Sequence, residues 1–422
     1  MKVLWITPNV PSRVLSYYGR VPVGSGGWID ETLKLLLQSP SVELTVLYLS
    51  KSHFKSLQFG RLRLIPIFSK QPLTDTSKSL AKLIRTEVLK FSPDVIDFQG
   101  IEFGYSLYAD YISSGIASIA TIQGCCSVIA DSYFGGINKN SFLSCTTLKD
   151  LLLLNTVFQR QSRIAKRARS EHVAIKAISS FIGRTEWDFQ FINALHGPCF
   201  QYYNFSRPVR TEILAYNWSP ATHNPLQIYF SQAHVPYKGL HILIEALSMV
   251  KHYFPSVQLL IGGRFRHGFN VLKANILLGS YELYISRLII RYSLVRNVQF
   301  LGPLKASQVG QYLSSSRLYV QSSFVENSPN SLLEAQAIGT PCIASNVGGT
   351  NSVIAPGGAL LYNPCDVHSL TDHIISLLSN LELCNEMSVN SSRFIRARQA
   401  QLDLKAGLMA AYENTVFRHC QF

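Results

Sequence analysis

Short β-branched or aromatic runs alternate with helical patterns along almost the whole chain, and this alternation narrows the fold more than any other feature. "KVLWIT" precedes "IDETLKLLLQ"; "DVIDFQ", "ASIATI" and "HVAIKAI" follow as further strand candidates. "QIYFS" then leads into "LHILIEALSMVKHY", and "VQLLIGG", "NVQFLG", "RLYVQ" and "PCIAS" come after it. Such a pattern predicts parallel sheets covered by helices on both faces, an α/β fold class. A chain of 422 residues is too long for one ordinary core and suits two domains. The pattern breaks at "NWSPATHNP", residues 217–225, just before a new strand, and the expected domain boundary lies there, between 1–218 and 219–395.

Hydrophobic residues make up 47% of the chain and charged residues 15%, which excludes a disordered protein. No apolar run reaches the ~18 residues of a membrane span, and "MKVLWITPNVP" is too short in apolar residues for a signal peptide, so the chain reads as cytoplasmic. The eight cysteines include no Cys-x-x-Cys and no Cys/His cluster at zinc spacing, which predicts reduced, mostly buried thiols. A formal charge of +14 implies attraction to something anionic: nucleic acid, a lipid surface or a phosphorylated substrate.

The chemistry concentrates in "FVENSPNSLLEAQAIGTPCIASNVGG", residues 324–349. After the strand "RLYVQSSF", Ser328 stands at an expected N-cap with Pro329 at the first helical position, and Gly339 supplies a left-handed stop. The helix N-terminus then lies at the carboxyl end of a parallel strand. There the N–H groups of Asn330, Ser331 and Leu332 and the helix dipole favour an anion such as a diphosphate. Glu334 shares a helix face with Asn330 and can accept hydrogen bonds from a ribose, while Glu326 in the preceding loop can meet another hydroxyl-bearing group. Two carboxylates that merely favour the helix dipole and solubilise one face are the alternative.

The motif Glu326-x7-Glu334 with "ENSPNSLLEA" before "GTPCIASNVGG" resembles the donor-binding signature of the retaining glycosyltransferases of family 4, among them bacterial surface-polysaccharide enzymes. Further features run in the right order over most of the chain. "VPVGSGGWIDETLKLL" is similar to the family's glycine-rich loop, "SPDVIDFQG" and "ASIATIQG" to N-domain strands, and "IYFSQAHVPYKGLHILIEAL" to the stretch that opens the C-domain. "LLIGG" and "FLGPL" stand where the family lines the nucleotide base. The resemblance implies the GT-B fold: two Rossmann-like domains facing each other across a cleft, with a C-terminal helix, here in 396–422, crossing back to the N-terminal domain.

By the same resemblance Glu334 binds the ribose hydroxyls, Glu326 lies near the donor sugar, the backbone around Asn330, Ser331 and Leu332 holds the diphosphate, and Asn327 and Ser328 belong to the same donor site. Lys238 aligns with the lysine that neutralises the leaving phosphate. Gly24, Gly26 and Gly27 let the backbone approach the phosphates or the acceptor, although they form no dinucleotide fingerprint. Two positions depart from the family. Gln232 replaces an arginine of the cationic clamp, a charge that Arg264 or Arg266 can restore, and Gln123 replaces a histidine that touches the donor sugar.

The implied reaction needs no cofactor and no metal, since helix N–H groups and Lys238 stabilise the departing nucleoside diphosphate. The implied donor is a nucleotide-diphosphate sugar, UDP before GDP by family frequency, and the acceptor a glycan or lipid-diphosphate-linked glycan, with retention of configuration. "LKDLLLLNTVFQRQSRIAKRARSEHVAIK" reads either as a basic amphipathic helix on an anionic membrane surface or as a packed helix with a solvated basic face. "GRTEWDFQ", residues 183–190, resembles a stretch of some polysaccharide-building relatives; Trp187 and Asp188 shape an acceptor cleft or cap a helix. A catalytically silent GT-B binding protein is the alternative. A nucleic-acid-binding protein is disfavoured because the basic residues form no recognisable module, and no nucleic-acid partner is expected.

Overall fold

The computed structural model describes residues 1–20, 27–206, 208–231, 233–265, 277–401 and 403–421. The chain forms two compact units, the first from residues 1–130, 163–208 and 402–422 and the second from 131–162 and 209–401. Each is built on one sheet with helices between most of its successive strands, so the α/β class holds for both.

In the first unit, β1 (Lys2–Thr7), β2 (Glu43–Ser50), β3 (Leu57–Phe59), β4 (Leu62–Phe68), β5 (Val95–Gln99), β6 (Ala117–Thr121), β7 (Ser180–Gly183) and β8 (Gln201–Asn204) lie in the order β3-β4-β2-β1-β5-β6-β7-β8. Only the β3–β4 pairing is antiparallel. Along β1, Leu4 and Ile6 enter one apolar cluster while Val3 and Trp5 enter another. Both faces of the strand are covered, which is why its sequence is a continuous apolar run without alternation.

The second unit carries β9 (Asn224–Ser231), β10 (Gln258–Gly262), β11 (Val298–Gly302), β12 (Ser316–Gln321), β13 (Cys342–Ser345) and β14 (Ala359–Tyr362), all parallel, in the order β11-β10-β9-β12-β13-β14. Helix Leu240–Tyr253 follows β9 and buries Leu243, Ile244, Leu247 and Val250.

The unit boundaries differ from those expected at 1–218, 219–395 and 396–422. Residues 209–218 fold with the second unit because their side chains find partners there. The Trp218 indole donates to the Ser316 carbonyl at 2.8 Å, and Arg210 pairs with Glu334. "NWSPATHNP" is thus the turn before β9. Residues 131–162 also belong to the second unit. His241 Nε2 donates to the Gly135 carbonyl at 2.7 Å, and the Asp150 carboxylate accepts from the Ser280 N–H at 2.5 Å. Helix Leu381–Gln401 stays in the second unit, whereas helix Leu404–His419 packs in the first. There Leu408, Ala411 and Tyr412 join the cluster on Val3 and Trp5, and Tyr412 donates to Asp97 at 2.7 Å while accepting from Trp5 Nε1 at 2.9 Å.

Two sequence expectations change. "HVAIKAI" is the end of helix Val157–Ala177, with Glu171, Ala174, Ile175 and Ile178 buried at helical spacing, and the strand comes after it as β7. The long basic stretch is two helices, Leu148–Leu152 and Val157–Ala177; on the second, Arg163, Lys166 and Arg169 are exposed opposite those buried residues, whereas Leu148, Leu151, Leu152, Leu153 and Leu154, on and just after the first, are exposed. All eight cysteines are free, five of them buried. Among the described residues no helix is long and apolar enough to cross a membrane.

Candidate functional site

The loop after β12 enters helix Asn330–Ile338 through Pro329. Pro329, with φ −71° and ψ 102°, is itself the N-cap, and no side chain caps the helix. The expectation of a Ser328 cap is therefore corrected: the turn begins one residue later, and Ser328 lies in the loop. The N–H groups of Leu332 and Leu333 both donate to the Pro329 carbonyl at 3.1 Å. Of the three N–H groups expected at the anion seat, Leu332's is therefore already engaged, and the seat narrows to Asn330 and Ser331, whose N–H groups precede the first intrahelical bonds. Gly339 ends the helix at φ 89°, as a left-handed stop.

Glu334 is buried and is held by a fork: Arg210 Nε and Nη2 donate to its two carboxylate oxygens at 2.6 and 2.8 Å. A buried carboxylate needs such a partner. Burial alone would pull the Arg210 guanidinium down, but the bonds and charge of Glu334 hold it above its ordinary value. Arg210 was not visible as a site residue from sequence.

Lys238 and Glu326 are brought together directly. The lysine ends the short 3-10 turn Pro236–Lys238, and its ammonium lies 2.5 Å from Glu326 Oε1. Ser323 Oγ donates to the same oxygen at 2.7 Å, and the Glu326 carbonyl accepts from Gly349 N–H at 3.0 Å. Gly239 follows at φ 73°; a Cβ there would sit 1.8 Å from the Ser322 carbonyl oxygen, so only glycine closes the turn and fixes Lys238.

Positive charge collects in this region. Burial first, then the charges of Lys238, Arg160 and Arg264, push His234 down to about 4, so it stays neutral among three cations. Arg160 comes from the 131–162 excursion, a source that the sequence did not suggest. At the end of β12, Gln321 is buried with both amide atoms unpaired, an arrangement that costs free energy until something meets them. Asn327 is buried in the loop. Gln232, Gly24, Gly26 and Arg266 lie outside the described residues, and Gly27 opens helix Gly27–Leu37.

Gln123 belongs to the first unit, just beyond β6. Its carbonyl and that of Ile122 accept from Arg184 Nη2 at 2.9 and 3.0 Å, so the loop is held from below by a buried guanidinium. Asp188 accepts from the Arg184 N–H at 2.9 Å and completes a capping box with Thr185. Trp187 stacks on Phe191. The "GRTEWDFQ" stretch thus caps and anchors helix Glu186–His196.

Residues 217–394 match the family model described as "Glycosyl transferases group 1". A GDP-mannose-dependent monoacylated alpha-(1-6)-phosphatidylinositol monomannoside mannosyltransferase of Corynebacterium glutamicum is 31% identical over 153 residues, 35% of this chain and 36% of that protein. The match therefore spans about a third of the curated relative. Among solved structures, sucrose-phosphate synthase of Thermosynechococcus elongatus is similar with a TM-score of 0.70 and 15% identity, over 98% of this chain and 99% of that one. Anabaena HepE in complex with UDP and glucose has a TM-score of 0.66 and 14% identity over the same shares. At these identities the likeness is one of fold. Residues 217–394 thus resemble the glycosyl transferases group 1 family, and the chain has the GT-B fold.

Proposed function

We propose that the protein is a retaining glycosyltransferase that moves a hexosyl unit from a nucleotide-diphosphate sugar to a glycan or lipid-linked glycan, in polysaccharide or glycolipid synthesis. The observation that carries this reading is the uncapped N-terminus of helix Asn330–Ile338 beside the Lys238–Glu326 pair. A departing diphosphate gathers negative charge, and the Asn330 and Ser331 N–H groups with Lys238 are positioned to stabilise it. Because that stabilisation comes from the protein, the proposed reaction uses no metal. Glu334, already oriented by Arg210, accepts from the ribose hydroxyls, and Glu326 from a hydroxyl of the transferred sugar. The unpaired Gln321 amide supplies one further polar contact to the donor. The leaving phosphate takes the acceptor's proton on the face where the new bond forms, so no protein nucleophile is used.

The donor is a UDP- or GDP-hexose: HepE was crystallised with UDP and glucose, and the Corynebacterium relative is named as GDP-mannose-dependent. That relative's named acceptor is a lipid, which favours a lipid-linked acceptor here. A panel of sugar nucleotides in a thermal-shift assay, followed by product analysis, tests the reading. One donor should raise the melting temperature, and Glu334→Gln should abolish the rise while leaving the protein folded. A shift without transfer to any glycan or lipid acceptor identifies a silent binding protein instead. No shift with any donor removes the assignment of the site.

A further inference from the structure

We propose that the Leu148–Leu154 knuckle of the second unit is a membrane-docking element that inserts into the surface of an anionic lipid bilayer. The inference does not rest on the transfer reaction. Leu143, Leu148, Leu151, Leu152, Leu153 and Leu154 are all exposed, Leu152 at 74% and Leu154 at 71%. Single exposed leucines are ordinary, but six within twelve residues, four of them consecutive, concentrate exposed apolar surface on one short segment.

Its base is rigid although its tip faces solvent. Thr147 Oγ caps helix Leu148–Leu152 and donates to the Leu278 carbonyl at 3.0 Å, and Lys149 Nζ donates to the Leu277 carbonyl at 2.8 Å. Asp150 is buried beneath the leucines, where it accepts from the Ser280 N–H and lies 3.8 Å from Arg160. The Asn155 N–H returns to the Asp150 carbonyl at 2.8 Å, which forces Leu154 to φ 48°. A leucine is disfavoured there, and such strain persists only where the surroundings impose it. The fold therefore spends conformational strain on holding leucines outward.

Charge selects the occupant. Between Ser132 and Ser162 the one acidic residue is Asp150, which is buried and paired. Around the leucines, Lys139 is exposed, Lys149 lies on the knuckle, and exposed Arg287 donates to the Ser144 carbonyl at 3.0 Å. Consecutive leucines on a short helix and turn point in several directions rather than along one stripe. That shape suits the acyl boundary of a bilayer, which accepts apolar groups from any direction, while the flanking cations meet anionic headgroups.

The test is co-sedimentation of the intact protein with vesicles of phosphatidylcholine alone and of phosphatidylcholine with phosphatidylglycerol, without any sugar donor. The wild type should bind the phosphatidylglycerol vesicles much more strongly. Leu152→Ser/Leu153→Ser should lower that partitioning about tenfold or more, and Lys139→Glu should lower it in low salt but less in high salt. The melting temperature and the sugar-nucleotide shift of the leucine variant should match those of the wild type. Three results overturn the proposal: no binding to either vesicle, undiminished binding by the leucine variant, or a dimer that the leucine substitutions dissociate. Because the readout contains no donor, its failure leaves the proposed transfer reaction untouched.

Discussion

Lys238 is already engaged before any donor arrives, since its ammonium bonds Glu326 and lies 5.7 Å from the Tyr237 ring centroid. This pairing keeps a partly buried cation solvated by protein and aims it at the loop that precedes the helix N-terminus. In the proposed reaction its main contribution is to charge that develops on the leaving diphosphate. Lys238→Met should accordingly lower kcat by about 10²-fold or more, with a smaller change in donor KM, as measured by steady-state transfer. A raised donor KM with kcat unchanged would assign Lys238 to ground-state binding instead. The strand, loop and helix that carry Glu326 and Glu334, and the turn that carries Lys238, were legible in the sequence because their signals are local, although the cap fell on Pro329 and not on Ser328. Arg210 was not, because it lies 124 residues from Glu334 and on the other side of the expected boundary. The only hint was physical: a carboxylate on the buried side of a helix requires a cation from somewhere.

At the scale of elements, the alternation of strands and helices was readable, whereas the identity of short apolar runs was not. "HVAIKAI" is β-branched enough for a strand, yet its buried positions fall three and four apart once Glu171 is counted, and a polar residue on the apolar face hides that period. Glu171 is buried because its carboxylate accepts from the N–H groups of Cys126 and Ser127 at 2.7 and 3.1 Å, a tertiary contact with no local signal. The return of the C-terminal helix was expected from the family resemblance alone, and the residue that secures it is Tyr412. Its hydroxyl is fully buried between Trp5 and Asp97. Tyr412→Phe keeps the ring and removes both bonds, leaving the buried Trp5 Nε1 without this partner and Asp97 with only its bonds from Thr121 and Gln99. The expected cost is about 1–3 kcal/mol, and amide exchange over Leu404–His419 should quicken most. Denaturant unfolding gives the first value and mass-resolved exchange the second.

Across the whole molecule, the two units bury titratable groups of opposite tendency. In the first, burial outweighs hydrogen bonds from Tyr412, Thr121 and Gln99 and pushes Asp97 up to about 7. Burial likewise raises Glu171 to about 7, against bonds from Cys126 and Ser127 and with the nearby Glu102 charge adding to the rise. Between their ordinary values, 3.8 and 4.5, and about 7, the folded first unit holds protons that the unfolded chain has released. Its stability therefore falls as pH rises through that window. In the second unit burial lowers His234 and His241 to about 4 from 6.5, with Lys238, Arg160 and Arg264 adding to the fall at His234 and the Gly135 bond opposing it at His241. Here the unfolded chain binds more protons between about 4 and 6.5, so stability rises with pH over that range. A single global melting curve hides these trends because they cancel. Amide exchange followed unit by unit, corrected for intrinsic rates, separates them. On going from about pH 7.5 to about pH 5, protection should rise in the first unit and fall in the second. Asp97→Asn should flatten the first trend and His241→Gln the second. Parallel trends in both units, or trends unmoved by these substitutions, would show that other groups control the pH response.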